Sequence, residues 1–226
     1  MKKYTLIVCA LALVAACASK YETLLSSNDV DAKYAAAMEF FQNKKYQKAA
    51  QLFESMSVLT SGTARDDTVQ YYWGLSNYRY KDYYTAESNF TRFLENFPQS
   101  PFSEDARFLR LDCMYRATYR YELDQAPTRT CLAAIAEYER EYPEGSPNGE
   151  ALQAMKKDLL ERLDRKAYES AKLYYKMEDY LAARVALRNV LKDNAENVYR
   201  ECVTRWFRRD SPGQRKEGRG WLAGRN

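Results

Sequence analysis

The chain has 226 residues, a formal charge of +4, 20 tyrosines, only 8 glycines and no histidine. A chain without histidine has no Ser-His-Asp or Cys-His nucleophile, no His-ligated zinc and none of the commonest general base. The positive charge is misplaced as a clue: residues 17–204 hold 26 basic against 29 acidic side chains, a net −3, while residues 205–226 hold seven against two. No broad basic field is left to bind nucleic acid.

Met1-Lys2-Lys3 opens the chain with positive charge, and Tyr4 to Ala16 is an apolar run too short to span a bilayer. It closes on Leu13-Val14-Ala15-Ala16-Cys17, which resembles the lipobox of bacterial lipoproteins. That resemblance implies cleavage before Cys17 and lipidation of its thiol, with residues 1–16 the signal peptide and 17–28 a lipidated linker. Two or three acyl chains hold a protein on a membrane where one does not. Ala18, rather than aspartate, follows the cysteine, as in lipoproteins sorted to the outer membrane. Among the other cysteines, Cys113 and Cys131 read as two buried thiols, with a disulfide between them as the alternative.

From Asp29 to Glu201 the apolar pattern runs at helical spacing and repeats. A shift of 37 carries Tyr34, Ala37, Phe41, Tyr46, Ala49 and Phe53 onto Tyr71, Gly74, Tyr78, Tyr83, Ala86 and Phe90. A further shift of 97 reaches Tyr168, Ala171, Tyr175, Tyr180 and Ala183, and a shift of 45 relates Ala86, Phe90 and Pro98 to Cys131, Ile135 and Pro143. A small residue, a second small residue twelve later, a large apolar residue and a closing proline resemble the tetratricopeptide repeat. Small residues let two antiparallel helices approach, and the proline ends the second helix. The predicted fold is therefore all-α: a tetratricopeptide-repeat solenoid of about four helical hairpins, with repeats one and two in 29–99, and repeats three and four with the start of a fifth in 100–201. Repeat three has a lengthened turn around Asp124–Pro127, and repeat four an unusually long first helix. Asn77 and Ala195 depart from the repeat pattern, standing where an aromatic residue and a closing proline are expected.

After Glu201 the composition shifts, with Gly213, Gly218, Gly220 and Gly224 and the tryptophans Trp206 and Trp221 in the last 21 residues. Residues 202–226 read as an irregular basic tail, either out of frame or a natural disordered extension.

The combination of a lipobox, these repeats and the linkers Phe97-Pro98-Gln99-Ser100-Pro101-Phe102 and Tyr142-Pro143-Glu144-Gly145-Ser146-Pro147 resembles the BamD family of β-barrel assembly lipoproteins. Cys17-Ala18-Ser19-Lys20-Tyr21-Glu22 is similar to its Bacteroidota branch. The resemblance implies a non-catalytic scaffold, lipid-anchored in the outer membrane through Cys17 and facing the periplasm. Its implied partners are unfolded β-barrel substrate peptides and a BamA-type assembly protein. No cofactor and no metal are expected, and nucleic acid is not an expected partner.

The tyrosines Tyr34, Tyr71, Tyr78, Tyr168 and Tyr175 recur with Phe41 on first-helix faces, and with Met38, Leu75 and Arg79 they are candidates for a peptide groove. Packing between neighbouring repeats is the competing role for the same aromatics. In repeat four Ala183, Leu187 and Val190 are predicted to face inward, leaving Arg184 and Arg188 outward as candidates for partner docking or as a solvated face. Glu104-Asp105 and Glu178-Asp179 read as helix-capping acids. Another periplasmic repeat lipoprotein, coordinating cell-wall or Tol–Pal-type envelope functions, is the alternative to the assembly scaffold. An envelope hydrolase is disfavoured because no catalytic constellation is present.

Overall fold

The computed structural model describes residues 21–143, 147–193 and 197–209. The signal peptide, Cys17, Glu144-Gly145-Ser146, Ala195 and the glycine-rich end from 210 onward lie outside the described residues. The fold is all-α, a tetratricopeptide-like succession of helical hairpins with no strand among the described residues. The chain forms two compact units, 1–117 and 118–226. Their boundary lies inside the third repeat, whereas the sequence pattern divides the repeats at 99/100.

The first unit contains α1 (Val30–Gln42), α2 (Tyr46–Ser57), α3 (Asp66–Tyr80), α4 (Tyr83–Asn96) and α5 (Ser103–Arg116). Asp29 begins α1 by accepting the Ala32 N–H at 3.0 Å, and Asp82 begins α4 by accepting that of Thr85 at 3.2 Å. These side chains satisfy amides that have no partner within the helix. The hairpin turns are tight enough to hold Lys44 and Lys81 at φ 59° and 70°. Ala37, Ala49, Leu52, Phe53, Met56 and Val69 make one buried cluster. Tyr71, Leu75, Ala86, Phe90, Phe93, Ala106, Leu109 and Cys113 make the next. The small-residue rule is visible at Gly74, where an added Cβ would lie 2.9 Å from the Phe90 ring. Because α5 contributes Ala106, Leu109 and Cys113 to the second cluster, it belongs to the first unit although its hairpin partner in sequence does not.

The linker expected over 17–28 is in part structured. Residues 21–26 form a helical turn, with Tyr21, Leu24 and Leu25 packed on the first cluster.

In the second unit a non-helical stretch over 118–125 precedes α6 (Ala126–Glu141). It is the lengthened turn, and the buried Gln125 amide ties it by donating to the carbonyls of Arg120 at 2.9 Å and Leu123 at 3.1 Å. The long α7 (Gly149–Lys176) follows, then α8 (Tyr180–Asp193) and α9 (Arg200–Arg209). Glu178 takes φ 62° in the α7–α8 turn, and Asp179 caps α8 through the Ala182 N–H at 3.0 Å. Ala171, Leu187, Val190, Val203 and Trp206 form the core of this hairpin.

The last helix corrects the tail boundary. Residues 202–209 are helical, with Val203 and Trp206 buried against α7 and α8, so the irregular segment cannot start at 202. Tyr199, Val203, Trp206 and Phe207 lie at helical spacing and supply the apolar face. Four arginines between 200 and 209 lower the mean hydropathy and hide that face from a compositional reading.

Candidate functional site

The candidate groove residues occupy the junctions between repeats. Tyr71 is buried and stacks on Phe102 with centroids 4.4 Å apart, and its hydroxyl donates to the Asp105 carboxylate. Tyr78, half-buried, donates to Asp112 Oδ2 at 2.6 Å, and Arg116 Nε donates to the same oxygen at 2.5 Å. Both contacts join residues 34 apart, from α3 to the following first helix α5. Burial, then the hydrogen bond to Asp112, pushes the Tyr78 hydroxyl up to about 12. The Tyr71 hydroxyl is raised further, chiefly by burial. Burial and the neighbouring Asp112 charge push the Cys113 thiol up to about 12, so it is a protonated core side chain at neutral pH. Cys131 is likewise buried.

Tyr34 meets Phe53 edge-on at 6.3 Å and has the Arg65 guanidinium 5.6 Å from its ring. Phe41 meets Tyr46 and Tyr72, each at 5.4 Å. Met38 is half-buried, Leu75 buried and Arg79 exposed near the end of α3. In the second unit Tyr168 stacks on Tyr199 at 4.5 Å, while Tyr175 meets Tyr180 at 5.3 Å and Trp206 at 6.1 Å. Inter-helix packing thus buries Tyr71 and Leu75, whereas Tyr34, Met38, Phe41, Tyr78, Tyr168 and Tyr175 stay half-buried and keep accessible edges.

The sequence reading missed Asp105 and Asp112 as acceptors. Asp105 lies in the first turn of α5, as a helix-favouring acid does, but it also receives a hydroxyl from the preceding repeat. The signal was available as Tyr71–Asp105 and Tyr78–Asp112, two pairs at one spacing and each seven residues further along the chain.

A different surface lies on α7 and α8. Ala183, Leu187 and Val190 are buried, and Arg184 and Arg188 are exposed on the opposite side of α8. At 100° per residue, Leu181, Arg184, Val185 and Arg188 share that outer sector. Leu181 is 75% exposed and Val185 50%. At the end of α7, Leu173 and the following C-cap residue Met177 are exposed to 58% and 67%. Sequence reasoning found the arginines and missed their apolar neighbours. Among the described residues no helix is long and apolar enough to cross a membrane, and no group of three or more Cys, Asp or Glu side chains is placed to hold a metal ion.

Comparison with curated proteins gives no significant match. The model of one family, YfiO, described as an outer membrane lipoprotein, matches residues 26–202. That match runs from the docked amino-terminal turn through all four expected repeats and into α9, so the chain belongs to the YfiO family of BamD-like outer membrane lipoproteins.

Proposed function

We propose that this outer membrane lipoprotein is a non-catalytic scaffold of β-barrel protein assembly. Lipid on Cys17 tethers it to the periplasm-facing leaflet. The first unit receives segments of unfolded barrel substrates along the accessible edges of Tyr34, Met38, Phe41 and Tyr78, beside Arg79. Aromatic edges offer apolar area and hydrogen bonding at small entropic cost. The second unit holds a BamA-type barrel-forming partner.

The observation that carries the docking role is the α7–α8 surface. A single exposed apolar side chain needs no explanation. Leu173, Met177, Leu181 and Val185 are four such side chains on one hairpin, and Arg184 and Arg188 stand in the sector of the last two. Apolar anchors flanked by arginine have the composition of a protein–protein interface core and its rim. The absence of histidine supports a binding role over catalysis.

The test is affinity purification of the lipidated protein from detergent-solubilised outer membrane, with co-purifying proteins identified by mass. The expected partner is a barrel protein with repeated periplasmic domains, in near-equal amount. Recovery of cell-wall enzymes or Tol–Pal components in its place would overturn the assembly role in favour of envelope coordination.

A further inference from the structure

The path from Cys17 to the first repeat is short, and its far end is fastened. The Tyr21 hydroxyl donates to Gln51 Oε1 at 2.6 Å, and its ring meets Phe40 edge-on at 5.5 Å. Lys33, 2% exposed, reaches back from α1 and donates to the Leu25 carbonyl at 2.9 Å and to Ser55 Oγ at 3.1 Å. A buried ammonium must keep such bonds, because losing them strands a charge away from water. Residues 21–26 are therefore held to the first hairpin rather than trailing from it. Only Ala18, Ser19 and Lys20 separate Tyr21 from Cys17, so the two Cα atoms can be no more than about 14 Å apart.

Around this fastening the surface is basic and aromatic. The Lys45 and Lys48 ammonium groups lie 5.8 and 5.7 Å from the Phe40 ring centroid, and that of Lys48 lies 4.9 Å from the Tyr21 ring. Lys44 precedes Lys45 in the α1–α2 turn. All three lysines are exposed, and none is ion-paired to a carboxylate among the described residues. Glu22, Glu39 and Glu54 are exposed on the same elements, so the lysines are distinguished by clustering beside the tether and not by net charge.

We infer that Lys44, Lys45 and Lys48, with the rings of Phe40 and Tyr21, form a contact surface for the anionic phospholipid headgroups of the membrane that anchors Cys17. This rests on the lipid-anchor reading above. The short tether keeps Tyr21, the near edge of this surface, within about two screening lengths of the lipidated cysteine at physiological salt, where each length is about 8 Å. Exposed lysine ammonium groups beside half-buried aromatic rings combine charge with apolar area, the arrangement that settles at headgroup level. Each lysine near an anionic leaflet strengthens partitioning about fivefold.

The lipid-anchored protein is reconstituted in vesicles of phosphatidylcholine alone or mixed equally with phosphatidylglycerol, and its lysines are acetylated from solution. Lys44, Lys45 and Lys48 should be protected on the mixed vesicles only, while the exposed Lys81 and Lys176 label equally on both. Equal labelling of the three lysines on both vesicles overturns the inference, leaving another protein as the occupant. The mass of the amino-terminal peptide from the same sample shows separately whether Cys17 is acylated. If it is not, the anchor reading fails, and sedimentation of that chain with the mixed vesicles decides the surface alone. K44Q/K45Q/K48Q should then weaken partitioning on the order of 100-fold at low salt; unchanged partitioning overturns the inference.

Discussion

The two units use the same repeat chemistry to different ends. In the first, aromatic rings and hydroxyls are spent on joining repeats: Tyr71 and Tyr78 each donate to an acid 34 residues on, and Ser100 donates to Asp67 at 2.8 Å across the linker. The second unit packs its last helices around Ala171, Leu187, Val190, Val203 and Trp206, and leaves Leu173, Met177, Leu181 and Val185 in water. Solenoid repeats gain stability from their neighbours, and these contacts fasten each repeat of the first unit to the next. The contrast supports the proposal that the second unit, rather than the first, docks the barrel-forming partner.

The strongest way to break this contrast is through the cores. Phe90→Ala removes a fully buried ring beside Gly74 and should cost the first unit about 3–5 kcal/mol in urea unfolding followed through Trp73. Trp206→Ala should cost about 3 kcal/mol and release α9, seen as faster amide exchange over 197–209. Unchanged exchange there would mean that α9 adds nothing to the second unit.

Smaller effects are expected at the junctions. Asp112→Ala leaves the Tyr78 hydroxyl and Arg116 without their shared acceptor and should cost about 2–3 kcal/mol, whereas Tyr78→Phe should cost about 1 kcal/mol. The same network carries a pH signature. Tyr78 titrates at about 12 in the fold against about 10 unfolded, so the folded state holds the proton more tightly. Its contribution to stability is full below pH 10 and is lost as pH rises from 10 through about 12. Tyrosinate absorbance should show a late-titrating component that Tyr78→Phe removes. The smallest change in stability, within about 0.5 kcal/mol, is expected for L181S/V185S, because both positions are exposed. That double variant should nevertheless lose the co-purifying partner.

Helical periodicity and the small-residue positions made the hairpins legible, because close approach at Gly74 and Ala86 dictates residue size directly. Burial on α8 was legible for the same reason: Ala183, Leu187 and Val190 recur at helical spacing. The docking of Tyr21 was hidden because its contacts with Phe40 and Gln51 lie 19 and 30 residues away and follow no repeat. Arginine content concealed α9, whose fold membership depends on three or four apolar side chains. The exposed stripe on α7–α8 escaped notice because an apolar residue at helical spacing is ordinarily assigned to a core. Leu181 lies in the outward sector of Arg184 and Arg188, and Leu187 in the buried one.

The proposed docking role requires the second unit's outer face to recruit the assembly partner while the first unit's outer face does not. A photoreactive residue placed at Leu181, and in a parallel chain at Tyr84, which is 85% exposed in the first unit, tests it in living cells. A crosslink is expected from position 181 to a barrel protein with periplasmic domains, and none to that protein from position 84. Crosslinking to it from 84 alone, or from neither position, would contradict the account.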